Sequence, residues 1–441
     1  MEREAWPGGR AGRRDIDGYQ IDTGPTVLTM PDIIEDTFAA VGDTLARRLE
    51  LCTLDPAYRA VFADGSSLDV HRDPDRMADA VAEFAGREQA TGYRRLRAWL
   101  TRLYRTEFDG FIAANFDSPL SLLTPRLAQL IAIGGFRNWD RMVKHYLSDP
   151  RLQRIFTFQS LYAGVAPRDA LAVYAVIAYM DTVSGVVFPR GGVRALPDAL
   201  AAAASDAGVQ FRYGTTVTAL EKTGGRVGAV LTEQAGRISC DAVVLTTELP
   251  QTYALLGRTP RRALRLRHSP SAVVAHVGCP AVASQTAHHT ILFGDAWDHT
   301  FADIIGAGQL MRDPSLLVTR PTASDPTLAP RGRDLLYVLA PARTWSRAAS
   351  TGTASGAATS TTSSRSSVSG FFPVCQAAQR FWMSSRPRTG RAGAWPRAVR
   401  SRSRTRSHKP ARSARPTWCA ASTTRCSPDP PRCPGSGCRP P

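Results

Sequence analysis

The sequence predicts an α/β fold, with an incomplete Rossmann-like nucleotide-binding domain, a mixed α+β domain beside it and a disordered C-terminal tail. Three observations point to it. Turn-forming and carboxylate residues crowd the first stretch, as Glu2, Gly8-Gly9-Arg10, Gly18, Asp22, Gly24 and Pro25. A second constellation opens at Phe188-Pro189-Arg190-Gly191-Gly192 and runs into a helix, strand and meander pattern. Composition then breaks at Arg343, beyond which 98 residues contain no Leu, Ile, Glu, Asn or Tyr. The chain therefore divides into 1–70 (part of the nucleotide-binding domain), 71–187 (a helical region associated with substrate or membrane), 188–250 (the second part of that domain), 251–343 (a substrate domain) and the tail, 344–441.

The N-terminal turns carry a specific chemistry. A carboxylate at a strand end, such as Glu2, can take the two hydroxyls of a ribose, and a Gly-Gly-Arg turn lets backbone and a guanidinium approach a pyrophosphate. Asp22-Thr23-Gly24-Pro25 would close around the same ligand. Each motif taken singly is also an ordinary surface turn.

A short strand is expected around Tyr19-Gln20-Ile21-Asp22. A helix follows from Pro31, with Ile33, Ile34, Phe38 and Val41 on one face. Ala60-Val61-Phe62, the turn Asp64-Gly65-Ser66 and Leu68-Asp69-Val70 read as a hairpin. Two helices come next, the second carrying Leu96, Trp99, Leu100, Leu103, Tyr104, Phe108 and Ile112. Its interleaved Arg94, Arg95, Arg97, Arg102 and Arg105 read as a solvated face. Leu120 to Phe136 is apolar but too short to span a bilayer, and core burial is the favoured reading over an interfacial segment with Arg126 and Arg137 at the headgroups. After Gly191-Gly192 a helix runs through Leu196, Leu200 and Ala204. A strand at Val209–Arg212, a meander from Thr216-Val217 through Val227–Leu231, and a returning strand at Ala242–Leu245 complete the pattern.

Charge and cysteine usage bound the function. The tail holds 17 of the 55 Lys and Arg but one of the 38 acids, so the remainder is close to neutral and the pI of about 10.1 belongs to the tail alone. No specific nucleic-acid partner is expected, although Arg400, Arg402, Arg404 and Arg406 in alternation with Ser and Thr resemble an RNA-binding segment. Out-of-frame translation of GC-rich DNA is the preferred account of the tail, with a genuine basic tail as the alternative. A tail so poor in large aliphatics cannot offset its ordering entropy. Five of the eight cysteines lie in it, without Cys-x-x-Cys pairs, and Cys52, Cys240 and Cys279 are isolated, as in a reduced compartment. Adjacent His288 and His289 would point to opposite faces of a strand, so no metal is expected.

Together these motifs resemble the carotenoid-desaturase family of FAD-dependent, amine-oxidase-like flavoproteins. The order Gly8-Gly9-Arg10-Ala11, Asp22-Thr23-Gly24-Pro25-Thr26-Val27, Phe188 to Gly192, the meander, His288-His289-Thr290 and Leu336-Tyr337-Val338-Leu339-Ala340-Pro341 follows that family from about 2 to 342. The resemblance implies FAD held non-covalently, with Glu2 on the ribose, Gly8, Gly9 and Arg10 near the pyrophosphate or isoalloxazine, and the Val217 backbone against adenine. It implies desaturation of phytoene or a related precursor, a lipophilic polyene, by hydride transfer to flavin. It also implies a protein in the cytoplasm, peripheral to the inner face of the membrane. Other carotenoid or retinoid oxidoreductions on the same scaffold, or a non-functional gene product, are the alternatives. Two departures stand out: no glycine-rich turn precedes Glu2, and the C-terminal flavin-closing motif is not in frame. Codons for Cys433 to Pro441, regrouped two bases on, are compatible with that Pro-Gly-x-Gly-x-Pro motif. The expectation is a chain truncated at its N-terminus that, as written, does not retain FAD. Asp149 matches an acidic position the family has near the flavin. Its other reading is a helix N-cap before Pro150, with Arg151 beside it.

Overall fold

The computed structural model describes residues 1–114, 116, 118–258, 270–281, 286–307, 311–342 and 420–421. Two short strands, β1 (Arg13–Ile16) and β2 (Tyr19–Asp22), pair antiparallel across Asp17-Gly18, both at positive φ, ahead of α1 (Pro31–Ala39) and α2 (Leu45–Arg48). On α1 only Phe38 is fully buried, with Ile34 packed beside it. Ile33 and Val41 are exposed, because α1 stops at Ala39 and rests one narrow stripe on the small core it shares with Leu45 and Ala203.

β3 (Leu51–Thr53) leads to the expected hairpin of β4 (Tyr58–Phe62) and β5 (Ser67–Val70). Its turn is held by Asp64, whose carboxylate accepts from the Ser66 N–H at 2.9 Å, and by the Arg59–Asp69 pair across the strands at 2.6 Å. Helices α3 (Pro74–Ala85) and α4 (Arg87–Glu107) follow. Asp73 caps α3 on the N–H groups of Asp75 and Arg76, with Pro74 preset in the first turn. Leu96, Leu100 and Leu103 of α4 are fully buried at the spacing of one helical face. A Cβ on Gly92 would stand 2.0 Å from the Tyr146 carbonyl, so glycine here lets the next helices close on α4.

Those helices are α5 (Pro125–Ala132), α6 (Trp139–Tyr146), α7 (Pro150–Thr157) and α8 (Ala175–Tyr179). Core burial of the Leu120–Phe136 segment is corrected: Leu130 and Ile133 are buried, but Leu120, Leu123, Ile131 and Phe136 are exposed, Leu120 at 74%. The apolar stretch is broken by Pro119 and Pro125 into a 3-10 turn and a two-turn helix. Such a helix can turn only one flank to the core.

β6 (Val187–Pro189) pairs antiparallel with β3, and α9 (Ala195–Asp206) follows the glycine turn. The meander forms as β7 (Val217–Thr223), β8 (Arg226–Thr232) and β9 (Gly236–Ser239). The flanking strands do not. Residues 209–212 make no ladder, their neighbourhood instead exchanging three backbone bonds with the N-terminus: Glu2 N–H to Arg212, Gly214 N–H to Glu4 and Thr215 N–H to Glu2. Residues 242–245 find no partner strand among the described residues, and Val244 is 89% exposed. Apolar alternation without a pairing edge does not make a strand.

After α10 (Leu249–Leu255) come β10 (Ser271–Pro280), β11 (His289–Phe293), α11 (Trp297–Phe301), β12 (Leu316–Thr319) and β13 (Arg333–Ala342). They build one sheet in the order β10-β13-β12-β11-β4-β5, antiparallel except where β11 runs parallel to β4. Its outer edge carries a two-residue strand, β14 (Ala420–Ala421), on β10. The rest of the expected disordered tail lies outside the described residues. The sheet thus joins the 58–70 hairpin to the 270–342 region, while helices α3, α4, α6, α7 and α8 pack a common core against β4 and β5.

Candidate functional site

The two glycine-rich constellations, more than 160 residues apart, meet through one carboxylate. Asp22, at the end of β2, accepts from the backbone N–H of Val193 at 2.6 Å through Oδ2 and from that of Arg194 at 3.3 Å through Oδ1. Both N–H groups open the first turn towards α9, where backbone donors lack helical partners. Burial pushes the Asp22 carboxyl above the ordinary carboxylate range, and the two N–H donors only partly oppose it. The approach demands glycine: Gly192 sits at φ +86, and a Cβ there would lie 2.6 Å from Asp22 Oδ2.

The neighbouring turn is equally tight. A Cβ on Gly24 would stand 2.1 Å from the Arg10 carbonyl, Thr23 donates its N–H to Gly12, and the Tyr337 hydroxyl donates to the Gly24 carbonyl at 3.1 Å. Asp325, reached from the far end of the chain, accepts from the Gly191 N–H at 2.7 Å. Pro25 is exposed at the rim.

Beneath this clamp lies a small cavity of about 10 Å³, room for about one water molecule, lined by Asp22, Thr26, Phe188, His276, Thr319 and Tyr337, among others. His276, on β10 opposite Tyr337 of β13, is 7% exposed, and neither ring nitrogen has a hydrogen-bond partner. Burial, aided by Arg14, pulls its pKa down to about 4, so the ring is a neutral donor and acceptor. His288 and His289 do not point to opposite faces, because β11 begins only at His289: their rings stand 4.5 Å apart, the first bonded to the Ser324 hydroxyl at 2.7 Å and the second to Thr319 at 2.9 Å. Burial lowers both, His289 to about 3. Among the described residues no three potential ligands gather into a metal-binding group.

The other expected residues fall nearby or elsewhere. Glu2 is half-buried and accepts from the Glu4 N–H through Oε1, at 3.0 Å. Gly8 turns at φ +95 against Pro197 of α9, and Gly9 turns at φ +52 with open space around it. The Arg10 guanidinium, 81% exposed, reaches Glu248 at 2.6 Å. Val217 begins β7, paired with Thr232. Asp149 is a cap: it accepts from the Arg151 N–H at 2.7 Å at the start of α7 and pairs with the Arg151 side chain at 2.8 Å. Burial would raise that carboxyl, but Arg151 holds it below the usual range. It does not line the pocket.

Sequence reasoning missed His276 and Asp325. Alternation along β10 places His276 on one face but cannot say what that face meets. Ser324-Asp325-Pro326 is a turn signal whose carboxylate also caps Thr327.

Comparison with known proteins adds the following. Residues 1–352 match the family of flavin containing amine oxidoreductases. A phytoene dehydrogenase of Streptomyces griseus is 63% identical over 341 residues, which cover 77% of this chain and 67% of that protein. A zeta-carotene-forming phytoene desaturase of Myxococcus xanthus is 34% identical over 349 residues, covering 77% and 66%. This chain thus spans about two thirds of the length of these relatives. Among solved structures, an oxidoreductase from Methanosarcina mazei aligns over 77% of this chain and 72% of its own, at 15% identity and a TM-score of 0.47.

Proposed function

Because this chain belongs to the flavin-containing amine oxidoreductase family, and within it to the phytoene desaturases, we propose that it desaturates phytoene or a related linear polyene precursor with FAD. The observation that carries the reading is the clamp in which Asp22 ties the 22–25 turn to the 188–194 turn over the His276 pocket.

Residues for part of a dinucleotide site are present. Gly9 turns in open space, Arg10 presents an exposed guanidinium beside it, and Glu2 keeps one carboxylate oxygen outside its local bond. Glu2 would take the ribose hydroxyls, Gly8, Gly9 and Arg10 the pyrophosphate, the Val217 backbone the adenine, and Asp22, Gly24 and Pro25 the rim nearest the ring system. When bound, FAD would supply the acceptor for the two hydrogens that leave the substrate, one as hydride and one as proton. Around it the protein positions and shields. Phe188 and Tyr337 exclude water, and His276 offers a neutral ring nitrogen to a polar edge that would otherwise go unpaired. Removing hydrogen next to a conjugated chain develops charge that the polyene itself delocalises, so orientation matters more here than a strong base. Asp149 is left outside this role by its pairing with Arg151.

The substrate class is dissolved in lipid, and Leu120, Leu123, Ile131 and Phe136 expose apolar side chains on one segment. No helix among the described residues is long and apolar enough to cross a membrane. We read this segment as a surface that docks on the cytoplasmic face of a bilayer. The test of the activity is to incubate the purified chain and FAD with phytoene in liposomes and to separate the products by chromatography. Products with extended conjugation support the reading, and unchanged phytoene in the presence of bound flavin defeats it.

A further inference from the structure

We infer that the groove between α4 and α5 binds the phosphate of an anionic phospholipid, an inference that rests on the membrane-docking reading above. The groove has a volume of about 320 Å³ and is lined by Thr101, Arg102, Arg105, Arg126 and Gln129, among others. Three arginines line it from two helices.

The arginines of α4 are not equivalent. Arg94 is paired with Asp75 at 2.7 Å, and Arg97 is fixed by the Tyr93 hydroxyl and the carbonyls of Arg72 and Thr182. Arg102 and Arg105 are exposed and have no ion pair or hydrogen bond from their side chains among the described residues. Arg126 comes from α5 and meets one acid, Asp109, at 3.1 Å. Its stem lies across the turn at Gly110, where a Cβ would come within 2.7 Å of it. One carboxylate therefore faces three cations. A phosphate diester satisfies such a group, because guanidinium forks match its oxygens in geometry and charge.

The source of the phosphate follows from the segment that joins the two helices. On the helical wheel of α5, Arg126 and Gln129 lie on one flank and Ile131 on the other, with the small Ala128 and Ala132 outermost. Ile112, Phe116, Leu120 and Leu123, from the segment joining α4 to α5, are exposed at 41%, 40%, 74% and 71%. A soluble phosphate would use the cations alone. A phospholipid uses both, its headgroup in the groove and its acyl boundary against the apolar side chains.

The experiment is flotation of the full chain with neutral phosphatidylcholine vesicles and with vesicles containing phosphatidylglycerol, for the parent, Arg102→Gln with Arg105→Gln, and Arg400→Gln with Arg402→Gln. The last variant removes the same charge from the tail. Each arginine near a charged surface changes binding roughly fivefold. The groove variant is expected to lose roughly twenty-fold on anionic vesicles and nothing on neutral ones, and the tail variant to lose clearly less. Equal losses from both variants, or none from the groove variant while the parent floats on both vesicles, overturn the inference and leave membrane docking standing. Failure of the parent to float on either vesicle overturns docking and the inference with it. Reversal by inorganic phosphate at constant ionic strength overturns the assignment to lipid.

Discussion

Gly192→Ala is the perturbation that bears most directly on the clamp. Two costs add. Alanine at φ +86 lies in the left-handed region, which costs an L side chain about 1–2 kcal/mol. Its Cβ would also stand 2.6 Å from Asp22 Oδ2, so the carboxylate must withdraw from Val193 and Arg194, two hydrogen bonds to a charged group worth about 1.5–3 kcal/mol each before water replaces them. A total near 3–4 kcal/mol follows, because the displaced carboxylate is partly rehydrated. Gly225→Ala, in the β7–β8 turn at φ +82 with nothing within 4 Å, carries the first cost alone. Urea denaturation of both variants without added flavin isolates the second cost as a difference of about 2 kcal/mol. If the Gly192 variant loses no more than the Gly225 variant, Asp22 does not grip the turn before α9 and does not join the two constellations.

Other expectations follow from single groups. Replacing Tyr337 by Phe removes the bond to the Gly24 carbonyl and should cost about 1 kcal/mol, read as a shift in the urea midpoint. His276→Leu should raise the stability of the flavin-free protein by about 1–2 kcal/mol, since it removes a buried ring with no partner, yet weaken flavin binding or turnover. A gain in stability with activity intact would place His276 outside the site. Burial raises Glu107 from 4.5 to about 8, so its contribution is complete below pH 4.5 and lost as pH rises through 8. Glu107→Gln should flatten that part of the stability profile, measured as the difference in urea midpoints between pH 5 and pH 9. Serine at both Leu120 and Leu123 should weaken flotation on neutral vesicles by roughly a hundredfold or more, because each leucine contributes about 1.5–3 kcal/mol when buried in lipid.

The parts legible in the sequence were those fixed by local chemistry. The Asp64-Gly65-Ser66 hairpin, the helix through Leu96, Leu100 and Leu103, and the Asp149-Pro150 cap all depend on neighbours within a few residues, and each formed as read. Strands at 209–212 and 242–245 did not form, since a strand needs a partner that periodicity cannot supply. Leu120 to Phe136 misled in the same way: its composition is that of a core helix, but Pro119 and Pro125 break the segment and leave Leu120 and Leu123 outside. In the site, Asp22 and Gly192 could be picked out by residue type, while their contact with each other could not. His276 was invisible because only the pairing of β10 with β13 brings it under the clamp.

Anaerobic mixing of the FAD-loaded chain with phytoene in liposomes, with flavin absorbance and polyene absorbance followed together, shows whether the flavin takes the hydrogens of the substrate. Flavin is expected to bleach as conjugation lengthens, one flavin reduced for each double bond formed. Flavin that stays oxidised while phytoene is converted, or that bleaches without any longer polyene appearing, would contradict this coupling.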